Sequence, residues 1–320
     1  MLLTKTRLLI ASILLVTGYT ATVNAASCCG GGSASSLILP KVGQQMIDVS
    51  FDLENYDGFW NSDAVHVEDP PGSKLQQTRL NFGAGYRLSP NWQTSVIVPY
   101  VWNDNQYAGF TTATHGLGDA VASIWYEAFD AITCVYKVNS IADLKPSIYY
   151  GLSMTLPTGV SPYGDVKNSF DITGRGFYRL DASLLLDKTV FPWNATFQYS
   201  YGVYLERPVN REYGNYVEPY DKNLGDRSLL MLSFGYSDQT EKLGTITYTL
   251  AYSELEEKAG EIDGQTDPTG GLEKQSLAFT VAMANFDKDW IYKVTYNKAT
   301  DGKNFPATEI LSLGVSHVFF

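Results

Sequence analysis

The sequence has little of what builds transmembrane helices, metal centres or disulfide frameworks. After residue 25 it has no uninterrupted apolar run of the about 20 residues that a transmembrane helix needs. It has only 3 cysteines and 3 histidines, and the absence of CxxC spacing argues against a zinc site or a disulfide framework. If such a chain spans a membrane, it must do so as a closed β-barrel, because only helices and barrels satisfy every backbone group in hydrocarbon.

Basic residues are scarce as well. The chain has 34 acidic against 23 basic residues and a formal net charge of -11 at pH 7. Nucleic-acid binding requires a basic surface, so no nucleic-acid partner is expected. The acidity suits a cell-surface protein with acidic loops, or a lumen that prefers cations or neutral solutes.

The N-terminus has the pattern of a secretory signal peptide. Lys5 and Arg7 form a basic head, residues 8–18 form an apolar core, and Val-Asn-Ala25 is a small-x-small cleavage site. We predict Sec-type export with removal of residues 1–25. Residues 26–44 then form a Gly- and Ser-rich periplasmic tail, and residues 45–320 form the folded barrel.

The tail carries an adjacent pair of cysteines, Cys28 and Cys29. The segment Ala-Ala-Ser-Cys28 matches a lipoprotein cleavage box only loosely, because leucine is missing at the expected position. Lipidation of Cys28, a soft-metal pair and a disulfide to Cys134 are alternatives to a plain disordered tail, which the Gly- and Ser-rich composition favours.

Short alternating segments are abundant. In residues 47–54, apolar and polar side chains alternate strictly, as in a strand with one greasy and one polar face. Eleven similar segments follow, and twelve is an even number, as single-chain bacterial barrels require. These segments are 75–88, 92–101, 119–128, 144–156, 177–187, 193–204, 226–236, 243–254, 274–286, 290–297 and 308–320. Aromatic residues at the strand ends suit interfacial girdles: Trp92, Tyr100, Trp102, Trp193, Tyr204, Tyr236 and Trp290.

The connections between these segments also alternate in length. Those after even-numbered strands are mostly tight turns, which places both termini in the periplasm. Residues 129–143 are an exception, where we expect a periplasmic helix or an extended hairpin. The connections after odd-numbered strands are long and polar, and we expect them to be extracellular loops: 57–74, 102–116, 157–176, 205–225, 255–273 and the shorter 298–307.

The C-terminus completes this interpretation. The chain ends on Phe320 after a strand-like run, which is the usual ending of a bacterial outer-membrane barrel and a signal to the barrel-assembly machinery. The sequence therefore predicts an all-β protein, a transmembrane antiparallel β-barrel of 12 strands in the Gram-negative outer membrane, embedded in outer-membrane lipid.

Three motifs resemble those of a known family. Residues 88–100 read LSPNWQTSVIVPY, residues 116–119 read GLGD, and residues 151–159 end in PTG. Their order and spacing are similar to the outer-membrane transporters labelled "MetA-pathway of phenol degradation", over about residues 45–320. The resemblance implies a channel-type barrel for aromatic or other small organic compounds.

Seven charged residues fall on the polar faces of the predicted strands. Facing lipid at mid-depth would cost about 2–4 kcal/mol for an arginine, so we place them in the lumen. Either they pair and plug the barrel, or they form a charged constriction that screens solutes. They are Asp48, Asp52, Glu54, Arg79, Arg87, Arg179 and Asp181.

Catalytic patterns are weak. His66 and His115 fall in predicted loops, His317 lies in the last strand, and none has a G-x-S-x-G motif nearby. We predict a channel rather than an enzyme, passing small organic solutes by passive diffusion, with no cofactor and no bound metal. The alternative is a non-conducting surface barrel whose acidic loops bind a partner or divalent cations.

Overall fold

The computed structural model describes residues 37–107, 109–128, 134–267 and 270–320. The predicted signal peptide and both tail cysteines lie outside the described residues. Twelve long strands form the wall: β1 Gln45–Trp60, β2 Lys74–Ser89, β3 Trp92–Tyr107, β4 Phe110–Leu117 continued by Ala120–Glu127, β5 Ser147–Leu156, β6 Arg179–Val190, β7 Trp193–Tyr204, β8 Arg227–Thr240, β9 Gly244–Glu257, β10 Leu272–Ala284, β11 Trp290–Lys303 and β12 Phe305–Phe319.

The strands pair antiparallel in chain order, and the last closes on the first. Gln45 of β1 lies opposite Phe319 of β12, and the pairing runs to Trp60 opposite Phe305, with an irregularity between Tyr56 and Phe59. Each remaining strand pairs with its neighbours in sequence. The predicted twelve-stranded barrel is therefore present. In the closed part of the wall each strand is paired on both sides, which is the condition for a sheet to cross hydrocarbon.

The alternation in each strand sorts its side chains between two faces. On β12, Leu311, Leu313 and Val315 are exposed on the outside, while Ser316 and Val318 point inward and are buried. The same pattern places apolar residues on the outer face of the other strands. A wall that is apolar outside and largely polar inside is typical of a barrel embedded in lipid.

The two ends of the barrel differ. At one end, the turn end, lie the start of β1, the end of β12 and short turns such as residues 90–91 and 191–192. The longer connection at this end, residues 128–146, contains the strand Cys134–Val135, which pairs parallel to the end of β6. It also contains a 3-10 helix at Ile141–Leu144. Residues 129–133 of the expected helix or hairpin lie outside the described residues.

At the other end, the loop end, several strands continue past the apolar outer band. Asn55, Gln76 and Asp104 are register neighbours on β1, β2 and β3, and mark where the outer face of these strands becomes polar. Beyond them the strands run on to Trp60 and Tyr107. Much of the predicted loops 57–74, 102–116 and 298–307 is therefore strand. The sequence did not reveal these strand extensions, because polar side chains on both faces remove the alternation between apolar and polar residues.

Two of the loop-end connections fold together into a small second sheet. It contains the hairpin Arg207–Glu212 and Asn215–Asn223 and the short strands Glu261–Ile262 and Gln265–Thr266. A further short strand, His66–Val67, extends the edge of β1. The connection 157–178 has a single 3-10 turn at Ser169–Asp171. Among the described residues, no helix is long and apolar enough to span a membrane.

Candidate functional site

The barrel encloses a cavity of about 540 Å³, lined by side chains from all twelve strands. Much of its wall consists of serine and threonine, whose hydroxyls bond across neighbouring strands. Ser183 and Ser200 are 2.8 Å apart, and Thr280 and Thr295 are 2.9 Å apart. A wall of small polar side chains leaves room for solvent and offers hydrogen bonds to a solute.

A first charged cluster lies where β1 meets β2. Arg79 is directly opposite Asp52 in the register, and its guanidinium lies 3.6 Å from Asp52 Oδ2 and 2.5 Å from Glu54 Oε2. Asn81 donates a further hydrogen bond of 2.9 Å to Asp52. One arginine is thus shared by two carboxylates, so this cluster has an excess of one negative charge. The expected neighbourhood of Arg79 and Asp52 is present.

A second charged cluster lies across the lumen on β6, β7, β9 and the connection 157–178. Arg179 Nε donates to both oxygens of Asp181 at 2.9 Å. Both Nη atoms of Arg175 donate hydrogen bonds to the Glu257 carboxylate, at 2.7 and 2.6 Å. The Tyr204 hydroxyl lies between them, accepting from both arginines and donating to Glu257 at 3.1 Å. The bidentate geometry fixes these charges firmly.

Two further basic side chains line the same cavity, Arg227 at the start of β8 and Lys274 on β10. Lys274 Nζ donates to Thr308 Oγ1 at 3.0 Å and lies 4.9 Å from the centre of the Phe305 ring. Arg227 has neither a hydrogen bond nor an ion pair with any residue that the structure describes. Five of the seven predicted lumen charges line this cavity with them: Asp52, Glu54, Arg79, Arg179 and Asp181.

The other two predicted residues lie on the inner face but outside this cavity. Asp48 accepts a hydrogen bond of 3.0 Å from Lys293 Nζ and another from Ser316. Arg87 lies at the turn end, where it donates to the backbone carbonyls of Gly43 and Pro40 at 2.9 Å each. Its partners are therefore backbone carbonyls of the N-terminal segment rather than carboxylates of a constriction.

That segment, residues 37–43, enters the turn end of the lumen. Leu37 and Leu39 are buried against Met46, Ile97 and Val318. Two glycines of β2 make this possible, because a Cβ at residue 85 would lie 2.5 Å from a methyl group of Leu39, and one at residue 83 would lie 3.2 Å from Leu37. Because residues 83 and 85 have no side chain, the inner face of β2 leaves room for Leu37 and Leu39.

Polar contacts hold the same segment in place. The Leu39 amide donates to Gln93 Oε1 at 2.6 Å, and the Gln93 side chain is almost fully buried. Lys41 lies 3.4 Å from Glu127. Ile38 reaches both the cavity and the group formed by Trp125, Tyr149 and Leu185. The segment 37–43, which we call the N-terminal closure, therefore narrows the turn end with apolar packing. The composition of the tail gave no sign of this location.

The connection 157–178 covers the loop end from inside the wall. Asn103 donates to the Ile172 carbonyl at 3.0 Å and Asn105 to the Phe170 carbonyl at 2.9 Å. Tyr163 packs edge-on against Phe177 at 5.4 Å. Burial, followed by the nearby Glu212 carboxylate, raises the pKa of Tyr163 to about 12, so this phenol is neutral at physiological pH. We call residues 157–178 the inner loop.

Several residues of the charged clusters were not among the predicted site residues. Tyr204 was predicted to lie in the interfacial girdle, but it is buried in the lumen at 2% exposure, because its strand parity points it inward. Arg175 and Glu257 fell at the ends of predicted loops. Arg227 was hidden because leucine and methionine occupy both faces of β8 after it. The signal that finds it is strand parity, counted back from the exposed Phe234.

The three histidines lie apart from one another. His66 Nε2 is 2.7 Å from the Asp57 carbonyl oxygen, His115 Nδ1 is 2.8 Å from the Tyr100 hydroxyl, and His317 Nδ1 is 3.1 Å from the Asp289 carbonyl oxygen. None of these partners is a serine. The described ranges contain no group of three His, Cys, Asp or Glu side chains that could hold a metal ion.

Comparison with solved structures identifies the fold. The COG4313 outer membrane channel from Pseudomonas putida F1 superposes with a TM-score of 0.67 at 14% identity, over 90% of this chain and 100% of that chain. The beta domain of the Bordetella autotransporter BrkA has a TM-score of 0.50 at 12% identity, over 87% of this chain and 100% of that chain. The predicted outer-membrane β-barrel fold is therefore confirmed.

At the level of sequence there is no corresponding match. No protein-family model and no curated protein sequence matches this chain. The resemblance to the phenol-degradation transporters therefore stays a prediction, while the barrel architecture that it implied is present.

Proposed function

We propose that this protein is an outer-membrane channel that passes small organic solutes through its lumen by passive diffusion. The observation that carries the proposal is the cavity of about 540 Å³ inside a closed, outwardly apolar barrel. Side chains of all twelve strands line it, and charged groups are held at fixed positions along it. A filled barrel would instead have interlocking side chains in this space.

The arrangement of charges suggests how the channel would select solutes. The first charged cluster has a negative excess on β1 and β2. The second cluster pairs two arginines with two carboxylates, and Arg227 adds one positive charge beside it. A solute that passes between the two clusters would experience a transverse field, strengthened by the low-dielectric wall. Small polar or ionised organic compounds suit such a passage. The choice of aromatic compounds rests only on the resemblance of the motifs in residues 88–100, 116–119 and 151–159 to the phenol-degradation transporters.

Orientation is part of the proposal. We infer that the turn end lies in the periplasm and the loop end outside the cell, because short turns and both termini belong to the periplasmic side of such barrels. A tag inserted at Gly264 tests this, since the residue lies in a tight turn with no heavy atom within 4 Å of a Cβ built there. Antibody should reach the tag on intact cells. Detection only after the outer membrane is broken would reverse the orientation.

The channel itself is tested by conductance of the purified protein in planar lipid bilayers. We expect stable single-channel steps whose reversal potential in a salt gradient differs from zero. Liposome swelling with phenols, sugars and amino acids of matched size then measures selectivity. Equal rates for all solutes of one size would leave a general pore and remove the selectivity.

A second candidate is a barrel that does not conduct. The N-terminal closure favours it, because Leu37 and Leu39 pack tightly at the turn end and Arg87 ties their segment to the wall. In that case the acidic loops would bind a partner or divalent cations at the cell surface. Absence of any conductance in wild type, with conductance appearing once the closure is displaced, would favour this second function.

A further inference from the structure

Arg227 is the one arginine in the described part of the chain whose guanidinium forms no hydrogen bond or ion pair with another residue. The others all have partners: Arg79 with Glu54, Arg87 with Pro40, Arg175 with Glu257, Arg179 with Asp181, Arg207 with Gly176 and Arg211 with Asp165. Arg227 nevertheless lines the central cavity. A guanidinium presents five N–H donors, and leaving them without an acceptor inside a protein wall is unfavourable.

The carboxylates near Arg227 are already occupied. Glu257 is directly opposite in the register, but Arg175 and Tyr204 hold its two oxygens. Asp181 gives both of its oxygens to Arg179. Asp181, Glu257 and the repelling Arg179 all act on Arg227 electrostatically, but none of them contacts it. This side of the lumen therefore lacks one acceptor.

Another acid on this side does not supply it. Asp119 lines the same cavity, but its two oxygens accept the backbone N–H groups of Gly159 at 3.1 Å and Arg175 at 2.7 Å. No carboxylate of the described residues bonds to the Arg227 guanidinium, so an oxyanion that enters the cavity can replace the water there and bind it. Planar carboxylates suit this role best, because they accept two parallel N–H bonds from one guanidinium.

The wall next to Arg227 indicates the rest of the ligand. Leu229 and Met231 follow it on the inner face of β8, and Leu255 lies opposite Leu229 on β9. All three line the cavity, so an apolar strip begins directly beside the free guanidinium. Free phosphate or sulfate would gain nothing from this strip. A carboxylate attached to an aromatic or aliphatic body would contact both parts.

We propose that Arg227 and the strip of Leu229, Met231 and Leu255 form a binding site in the lumen for small organic carboxylates with an apolar body. The inference rests on the proposed channel function and narrows its substrate class from small organic solutes to amphipathic anions. Lys274, which has no carboxylate partner among the described residues, adds positive potential on the same cavity wall.

The test uses benzoate, benzyl alcohol and inorganic phosphate on the purified full-length protein in planar bilayers. Benzoate should reduce the single-channel current at lower concentration than benzyl alcohol or phosphate. In Arg227→Gln the half-blocking concentration of benzoate should rise about tenfold, since a charge-assisted bidentate contact is lost. Arg227→Lys should lie between the two, and Arg211→Gln, on the loop-end hairpin away from the cavity, should match wild type.

The outcomes separate this inference from the channel itself. Conductance that benzoate and benzyl alcohol block equally, or an Arg227→Gln variant that is blocked like wild type, would overturn the site and leave the channel intact. Block by phosphate as strong as block by benzoate would overturn the role of the apolar strip. If the barrel does not conduct at all, ligand-observed NMR with benzoate decides: binding lost in Arg227→Gln supports the site, and no binding to wild type overturns it.

Discussion

The two ends of the lumen are narrowed by different kinds of interaction. At the turn end, the N-terminal closure is seated by leucine side chains packed against the wall. At the loop end, the inner loop is tied down by the Arg175–Glu257 pair and by asparagine side chains bonded to its carbonyls. Salt screens ion pairs that water can reach, whereas it weakens apolar packing little. The turn end has one ion pair beside its apolar packing, Lys41–Glu127, so the loop end should respond to ionic strength more strongly than the turn end.

The largest effect should come from filling the space that the closure occupies. Gly85→Val places a side chain where a Cβ alone would lie 2.5 Å from a methyl group of Leu39, so Leu39 must move and the packing of the closure is loosened. We expect a higher single-channel conductance and a loss of about 2–4 kcal/mol in the free energy of unfolding, since buried leucine packing is lost.

The matched control is Ala84→Val, which places the same valine side chain on the outer face of the same strand, where residue 84 is exposed. Its conductance and its unfolding curve in urea should stay close to wild type. If Gly85→Val conducts like wild type, the closure does not narrow the pathway. The turn end would then not be one of two narrowed ends of the lumen.

A smaller effect should follow from loosening the loop end. Arg175→Ala removes both hydrogen bonds to Glu257, whose side chain is only 5% exposed. Arg175 itself is 42% exposed, so water can partly replace it, and we expect a loss of about 1–2 kcal/mol in stability. Current fluctuations should increase, and this increase should be reproduced in wild type by raising the salt concentration.

Lys298→Ala serves as the control for Arg175→Ala, because Lys298 forms an ion pair of 2.6 Å with Glu309 on the exposed surface. Exposed pairs of this kind contribute about 0–1 kcal/mol. Equal destabilisation in the two variants would mean that the Arg175 pair is an ordinary surface pair. The inner loop would then be held by its backbone contacts alone.

The smallest change in stability is expected for Arg79→Ala, which should act on selectivity instead. It leaves Asp52 and Glu54 without their shared cation beside the cavity. Asp52 and Glu54 are buried while Arg79 covers them. Its removal opens this space to lumen water that can solvate both carboxylates, so the change in unfolding free energy should stay within about 1 kcal/mol. The reversal potential in a salt gradient should shift toward cation selectivity, and Arg79→Lys should restore it.

A destabilisation of about 3–5 kcal/mol in Arg79→Ala, without a shift in reversal potential, would indicate a dry, plugged lumen instead. Heat-modifiable gel mobility measures the folded fraction in the same samples. Together, the reversal potential and the folded fraction show whether the first charged cluster is hydrated or buried. They therefore test whether the loop end is open to water.

The architecture could be predicted from the sequence because it depends on local alternation. Residues 47–54 show the period of two without interruption, and the terminal Phe320 is a signal independent of this alternation. Recognition of Phe320 by the barrel-assembly machinery stays a prediction. The loop-end strand extensions were missed because polar residues cover both faces there, so no alternation marks them.

The site was only partly predictable for a different reason. Arg79 and Asp52 lie on strands whose two faces contrast, and neighbouring strands must bring them together. Tyr204 has the same aromatic character as a girdle residue, and only its inward parity distinguishes it. The N-terminal closure depends on contacts between Leu39 and residues about fifty positions away, which no local pattern encodes.

The extension of the wall past the apolar band has a mechanical consequence. A strand of 16 residues such as β1 rises about 3.4 Å per residue, which at a tilt of about 40° gives about 40 Å of height against an apolar band of about 25 Å. The upper part of these longer strands is a stiff partial wall that stands in water without lipid around it. The backbone amides of this part should therefore resist deuterium exchange as strongly as those within the bilayer. The loops at its upper edge should lie well above the lipid surface.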